Sequence, residues 1–271
     1  MAVRPDVAPE PLPYPDGILP HDEVHVWHVD LIAWEKEAGS LFELLDSAER
    51  EQASRFKFPA PRNRFLISRA LLRQALSRYL RTEARDVRFR ATANGKPELA
   101  EGGDLRFNDL RFNDLRVNDL RFNLSHTEGV TVFAIVRHRR VGVDVERIRQ
   151  DTNAMELAER FFSRPEVQWL RSQPAAQHIP SFFTCWTAKE AYIKAQGEGL
   201  SLPLSSFGVL PRPIGSALQL EVYADPEESR RWSMWQLNLG PDFRAALAVE
   251  GEGCRVRLGQ WPLPGLEPPA S

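Results

Sequence analysis

Residues 141–146, Val-Gly-Val-Asp-Val-Glu, alternate apolar and non-apolar side chains. In a strand, successive side chains point to opposite faces. Val141, Val143 and Val145 therefore share one face, and Gly142, Asp144 and Glu146 share the other. Taken alone, this is the pattern of an amphipathic edge strand with a solvated acidic face. Two carboxylates beside a glycine that admits close approach also suit Mg2+, a hard ion that takes a few carboxylates and keeps positions for water and phosphate oxygens. Forty-two residues after Asp144 comes Trp186, and Trp186, Glu190 and Lys194 recur at spacing four. On a helix they share a side, with Lys189 about 100° away. The plain alternative is a Glu-Lys surface pair worth a few tenths of a kcal/mol. A tryptophan on the same side argues that Glu190 faces the protein body. A third carboxylate opposite the strand pair would complete a metal site, with the lysines left for phosphate or proton transfer.

Three further stretches carry chemistry-bearing types. In "NLSHTEG" (123–129), Ser125 and His126 follow a strand and precede a glycine turn, a setting for a structural histidine or for a phosphate contact. Arg55, Lys57, Arg62, Arg64 and Arg69 make a basic run that by itself is a solvated face. "NGKP" places Lys96 and Pro97 in a rigid turn. Between these motifs lie four copies of Asp-Leu-Arg-Phe/Val-Asn, from Asp104 to Asn123. A period of five lines one face of neither a strand nor a helix. As a pentapeptide-repeat interaction module it would make about one coil, fewer than the roughly three repeats that bury a solenoid core. The near-identity of the copies points to tandem duplication, with the last copy (119–123) belonging to the fold and residues 104–118 an insertion. No "GxxxxGK[ST]" or "GxGxxG" is present.

Taken in order, the basic helix, Gly-Lys-Pro, Asn-Leu-Ser-His, Gly-Val-Asp-Val-Glu and Trp-x-x-Lys-Glu-Ala-x-x-Lys resemble the 4′-phosphopantetheinyl transferase family, of its larger surfactin-synthetase-associated type. The likeness spans about Val24 to Leu200. It implies transfer of the phosphopantetheine arm of coenzyme A to a serine of an apo acyl or peptidyl carrier protein, with release of adenosine 3′,5′-bisphosphate. It also implies an α+β fold of two similar halves related by pseudo-two-fold symmetry, with coenzyme A in the cleft between them. By motif, Asp144, Glu146 and Glu190 would hold Mg2+. Glu190 would take the serine proton, directly or through a water, and Lys194 would stabilise charge on the phosphates. Lys189 would be a further phosphate contact. Arg55 and His126 would hold the 3′-phosphate, and Lys96 with Pro97 would line the adenine pocket. Ser125, Arg64 and Arg69 would add contacts to coenzyme A. A monomer serving secondary metabolism is expected, since two halves supply what smaller members gain by oligomerising. The family joins Gly-Lys-Pro to Asn-Leu-Ser-His by a short connection, and the pentapeptide insertion departs from that.

These groups need a scaffold, and the pattern supplies one. "EVHVWHVDL" (23–31), "VRFRAT" (87–92), "GVTVFAIVR" (129–137) and "VGVDVERI" (141–148) read as strands. "LDSAEREQASRFKF" reads as a helix, with Asp46 as N-cap and Glu49 as its capping-box partner. "RNRFLISRALLRQALSRYLR" (62–81) is amphipathic. Leu72, Leu76 and Tyr79 form its apolar stripe, and Arg62, Arg69 and Arg73 share another face. "NAMELAERFF", "RPEVQWLRS" and "SFFTCWTAKEAYIKAQ" are further helices, and four strands follow. Each half gives a strand, then helices, then several strands, which is an α+β pattern. The expected organisation is a Pro-rich arm (1–20), a first half (21–140), a second half (141–261) and a Pro-rich tail (262–271).

Composition limits the partners. The 271 residues suffice for one large domain or two small ones. A net charge of −2 gives no global drive toward nucleic acid or anionic membrane, so an anionic ligand must meet a local basic patch. Two cysteines, Cys185 and Cys254, build no disulfide framework and fit a reducing, cytoplasmic setting. No apolar run approaches the ~18 residues of a membrane span.

Overall fold

The computed structural model describes residues 19–92, 95–100, 119–197, 202–212 and 217–261. The arm, the insertion 104–118 and the tail lie outside them, apart from Leu19 and Pro20. The first part contains β1 (Glu23–Asp30), α1 (Ala38–Leu41), α2 (Ser47–Ser54), α3 (Pro59–Leu80), β2 (Phe89–Ala91), β3 (Pro97–Leu99), β4 (Leu120–Thr127) and β5 (Val130–Arg137). The second contains β6 (Val141–Arg147), α4 (Ala154–Phe161), α5 (Arg164–Ser172), α6 (His178–Gln196), β7 (Phe207–Pro211), β8 (Ala217–Val222), α7 (Pro226–Arg230), β9 (Trp232–Leu237), β10 (Phe243–Glu250) and β11 (Arg255–Gln260).

The same order occurs twice. In the first part β1 pairs with β5 and β5 with β4, with α3 and the β2–β3 hairpin inserted between β1 and β4. In the second, β6 pairs with β10 and β10 with β9, with α6 and the β7–β8 hairpin inserted in the same place. These pairings are antiparallel. β11 breaks the match. Sequence order puts it in the second half, but it pairs in parallel with β1 and extends the first sheet to β11-β1-β5-β4.

Alternation decides what each strand face meets. Trp27, Val29, Phe133 and Ile135 face the α3 side of the first sheet, with Leu71, Leu72 and Leu76. Val24, Val26, Val132, Ala134 and Val136 face the other way, against Val141, Val143, Val145, Leu247 and Val249. The two sheets thus bury a shared apolar layer, and the valine face of β6 lies in it. Its other face meets α6. A Cβ on Gly142 would stand 2.0 Å from the Ala191 carbonyl oxygen and 2.4 Å from the Ala195 nitrogen. The close approach that this glycine permits is that of a helix, not of a ligand.

Both parts also repeat a polar device. Asp46 and Glu49 form the expected capping box at α2, and Ser163 and Glu166 form one at α5. In each, the box glutamate receives a fully buried cation from the long helix of its own part. Arg73 of α3 donates to Glu49 at 2.7 Å and to the Val87 carbonyl at 2.6 Å. Lys189 of α6 donates to Glu166 at 2.7 Å and to the Phe207 carbonyl at 2.6 Å. Arg73 lies over the Phe89 ring and Lys189 over the Phe207 ring. Arg73 and Arg69 do share a face of α3, and that face turns inward, since both reach Glu49 and the Phe89 ring. Buried charge demands a partner, and here the partner is a helix cap.

Candidate functional site

Asp144 and Glu146 on β6 face Glu190 and Lys194 on α6. Asp144 is 4% exposed. Its Oδ1 accepts from Lys194 Nζ at 2.6 Å and from Ser125 Oγ at 2.8 Å. Its Oδ2 is buried and has no hydrogen-bond partner. Glu146 and Glu190 are half-buried. Desolvation raises the pKa of each, and the Asp144 charge raises it further, so the three carboxylates are electrostatically crowded. The Lys194 charge lowers both pKa values, offsetting some of that crowding, and its Nζ also donates to Ser125 Oγ at 2.9 Å.

A second, cationic group adjoins the first. His126 remains solvent-accessible, but the protein around it desolvates the imidazolium and lowers its pKa. Arg64, Lys194 and Arg69 push it the same way. Each of those three cations is thus within electrostatic reach of His126. Arg64 Nε and Arg69 Nη1 are buried without a hydrogen-bond partner. A buried donor left unpaired costs about 1–3 kcal/mol. The Arg69 guanidinium is otherwise held near Glu49 at 3.7 Å and over the Phe65 and Phe89 rings.

The chain as a whole is similar to known proteins. One family model, described as the 4′-phosphopantetheinyl transferase superfamily, covers residues 140–248. A second, 4′-phosphopantetheinyl transferase, N-terminal, covers residues 32–138. The 4′-phosphopantetheinyl transferase HetI of Nostoc sp. is 34% identical over 258 residues, 91% of this chain and 96% of that protein. The chain belongs to the 4′-phosphopantetheinyl transferase family.

The 4′-phosphopantetheinyl transferase Sfp of Bacillus subtilis is 31% identical to this transferase over 161 residues, 59% of this chain and 64% of that protein. The holo-[acyl-carrier-protein] synthase of Thermotoga maritima is similar over 41% of this chain and 62% of that one, at 22% identity and a TM-score of 0.34.

The other expected site residues of the transferase fall in different places. Lys189 is fully buried in the Glu166 pair, so its ammonium does not reach the carboxylate group. This is a correction to its reading as a phosphate contact, and the cause is the capping-box glutamate beneath it. Arg55 is exposed and donates to Glu51 on its own helix at 2.5 Å. Lys96 Nζ donates to the Val141 and Lys194 carbonyls, at 3.2 and 2.7 Å, and burial lowers its pKa to about 8. It ties the β2–β3 turn to β6 and α6, while Pro97 begins β3 half-buried beside it. Ser125 is part of the joint between β4 and β6 and not a free hydroxyl. Its Oγ also accepts from Val145 N at 3.4 Å. Trp186 packs with Phe162 and Phe182. A surface depression of about 520 Å³ lies at the end of α3, lined by Leu44, Gln74, Ser77, Arg78 and Arg81, and none of the site residues lines it.

The donor set suits a hard divalent cation. It has three carboxylates, one orphaned buried oxygen, and two carboxyls whose proton affinity rises through desolvation and the neighbouring Asp144 charge. Among the described residues no three His, Cys, Asp or Glu side chains already stand as a metal-binding group. The Lys194 ammonium takes one Asp144 oxygen instead. Sequence reasoning passed over Asn123 and Thr127. Their signal is the alternation Asn-x-Ser-x-Thr at 123, 125 and 127, in register with Val143, Val145 and Arg147.

Proposed function

We propose that this transferase moves the 4′-phosphopantetheine arm of coenzyme A onto a serine of an apo acyl or peptidyl carrier protein, with Mg2+ as the metal. The observation that carries this reading is the Asp144 carboxylate, with one buried oxygen left without a partner, within electrostatic reach of Glu146 and Glu190 and bound to Lys194, with Arg64, Arg69 and Lys194 acting on His126 nearby. Relatives named 4′-phosphopantetheinyl transferase support the reaction class.

Asp144, Glu146 and Glu190 would hold Mg2+, which supplies neutralisation of charge on the pyrophosphate oxygens. The remaining work belongs to the chain. Arg64, Arg69 and His126 bind the nucleotide end, where two guanidinium N–H groups lack partners. Arg55, carried over by resemblance, adds a contact from the end of α2 toward the 3′-phosphate. The Lys96–Pro97 turn borders the adenine. The serine oxygen forms a new bond to the β-phosphorus as the bond to the leaving phosphate of adenosine 3′,5′-bisphosphate breaks. Glu190 accepts the serine proton, and its raised pKa fits that task. Lys194 exchanges its contact with Asp144 for the phosphates and stabilises the charge that gathers there. The two halves carry one complete set of these groups, which fits a monomer.

The test is a loading assay. The protein is mixed with coenzyme A, Mg2+ and an apo peptidyl carrier protein, and the carrier's intact mass is read. A gain of one phosphopantetheine is expected. It should be lost with EDTA and reduced about 100-fold or more by Glu190→Gln, the scale of losing one charge-stabilising group. Absence of both loading and coenzyme A binding would overturn the reading.

A further inference from the structure

β6 pairs with β10 on one side only, so its other edge presents N–H groups to the first sheet. These groups are met by side chains, not by backbone. Val143 N donates to Asn123 Oδ1 at 2.8 Å, Val145 N to Ser125 Oγ at 3.4 Å and Arg147 N to Thr127 Oγ1 at 3.4 Å. The backbone of β4 is meanwhile engaged with β5. Every second residue of β4 thus supplies one rung to an edge that would otherwise lie unpaired.

The second and third rungs do more than close the edge. A hydroxyl has one proton to give and two lone pairs. With a lone pair turned to the β6 N–H, Ser125 gives its proton to Asp144 Oδ1 at 2.8 Å, and Thr127 gives its proton to Glu146 Oε2 at 3.3 Å. Each hydroxyl fixes the carboxylate one residue before the N–H that it accepts. The first rung has no such partner, because residue 142 is glycine.

We infer that Thr127 is a positioning residue for Glu146. Its backbone-anchored hydroxyl holds one oxygen of Glu146 and would leave the other for the cation. Partners behind a ligand set its orientation, and losing one typically costs 10–100-fold in metal affinity. The inference rests on the metal role proposed above for Glu146.

The experiment titrates the full chain with Mn2+, a paramagnetic stand-in for Mg2+, and follows free ion by electron paramagnetic resonance. Transfer rate against Mg2+ concentration is measured in parallel. Thr127→Val, which keeps shape and removes the hydroxyl, is expected to raise the Mn2+ Kd about 10-fold. Thr127→Ser should restore wild-type affinity, and Thr127→Ala carries the same test if the valine variant does not fold. Asn123→Ala removes a rung that touches no carboxylate. It should lower the melting temperature and leave the Kd unchanged. An unchanged Kd in Thr127→Val and Thr127→Ala overturns the inference. So does an equal rise in Asn123→Ala, which would assign the effect to the joint as a whole. Wild-type protein that binds no Mn2+ sinks the metal reading itself and the inference with it.

Discussion

Asp144 Oδ2, buried without a partner, and the raised pKa of Glu146 and Glu190 are costs that the folded chain carries at neutral pH. A carboxyl whose pKa is higher folded than unfolded binds more protons in the folded state. Its contribution to stability therefore falls as pH rises from the ordinary 4.5 to the raised folded value, and stays low above it. Glu190→Gln removes one of the three charges. At pH 7 it should melt a few degrees above wild type while losing transfer. Below pH 4.5, where the wild-type carboxyl is protonated in both states, the difference should vanish. Thermal scans at pH 4 and pH 7 check this. A variant less stable than wild type at pH 7 would show that Lys194 outweighs the repulsion. The three carboxylates and Lys194 were legible as residues because their spacing on strand and helix is regular. The role of Lys189 was not, because its partner Glu166 is remote in sequence and lies on a different helix.

At the scale of elements, α6 is held against β6 by what is missing at Gly142. A methyl group there would meet helix backbone, which cannot move aside as a side chain can. Gly142→Ala should destabilise by about 3 kcal/mol or more, the upper range for overpacking, measured by denaturant unfolding. The depth of α6 also depends on the Lys189–Glu166 pair. Removing one partner of a buried pair strands the other, so Lys189→Met should cost about 3–5 kcal/mol. Glu166→Gln in the same chain keeps the cap without the charge and should recover part of the loss. A lysine that bound phosphate instead would leave stability nearly unchanged when lost. The repeated pairing of a capping-box glutamate with a buried cation, Glu49 with Arg73 and Glu166 with Lys189, shows that one packing solution serves both halves. The α2 box could be read from Asp46 and Glu49, because capping is local. The cation beneath it could not, because Arg73 looks like any other arginine of a basic helix.

For the whole molecule, the site lies at a joint. A shared apolar layer, the Asn123–Ser125–Thr127 rungs and the Lys96 contacts hold the two sheets together. β11 reaches back from the second half to pair with β1. The last pentapeptide copy enters this joint. Leu120 and Phe122 are buried in the first core, and Asn123 forms the first rung. The three copies before it lie outside the described residues. Because closure entropy grows only logarithmically with loop length, a chain lacking 104–118 should fold, melt within a few degrees of the full chain and load carrier protein. A folded but inactive product, read by circular dichroism and the loading assay, would give the insertion a part in the reaction.

The sequence by itself determined β1, β2, β5, β6, β8 to β11 and α2 to α6, the valine and carboxylate faces of β6, the side of α6 that carries Glu190 and Lys194, and the family, but not β3, β4, β7, α1 or α7. Each follows from a period or a motif within a few tens of residues. Tertiary structure alone decided that Gly142 admits a helix, that Lys189 and Arg73 neutralise helix caps, that Ser125 and Thr127 bind the edge of β6, and that β11 joins the first sheet. Each of these depends on a partner whose position no local pattern encodes. The choice among possible partners for a buried charge or an open strand edge is made only when the two sheets close on each other.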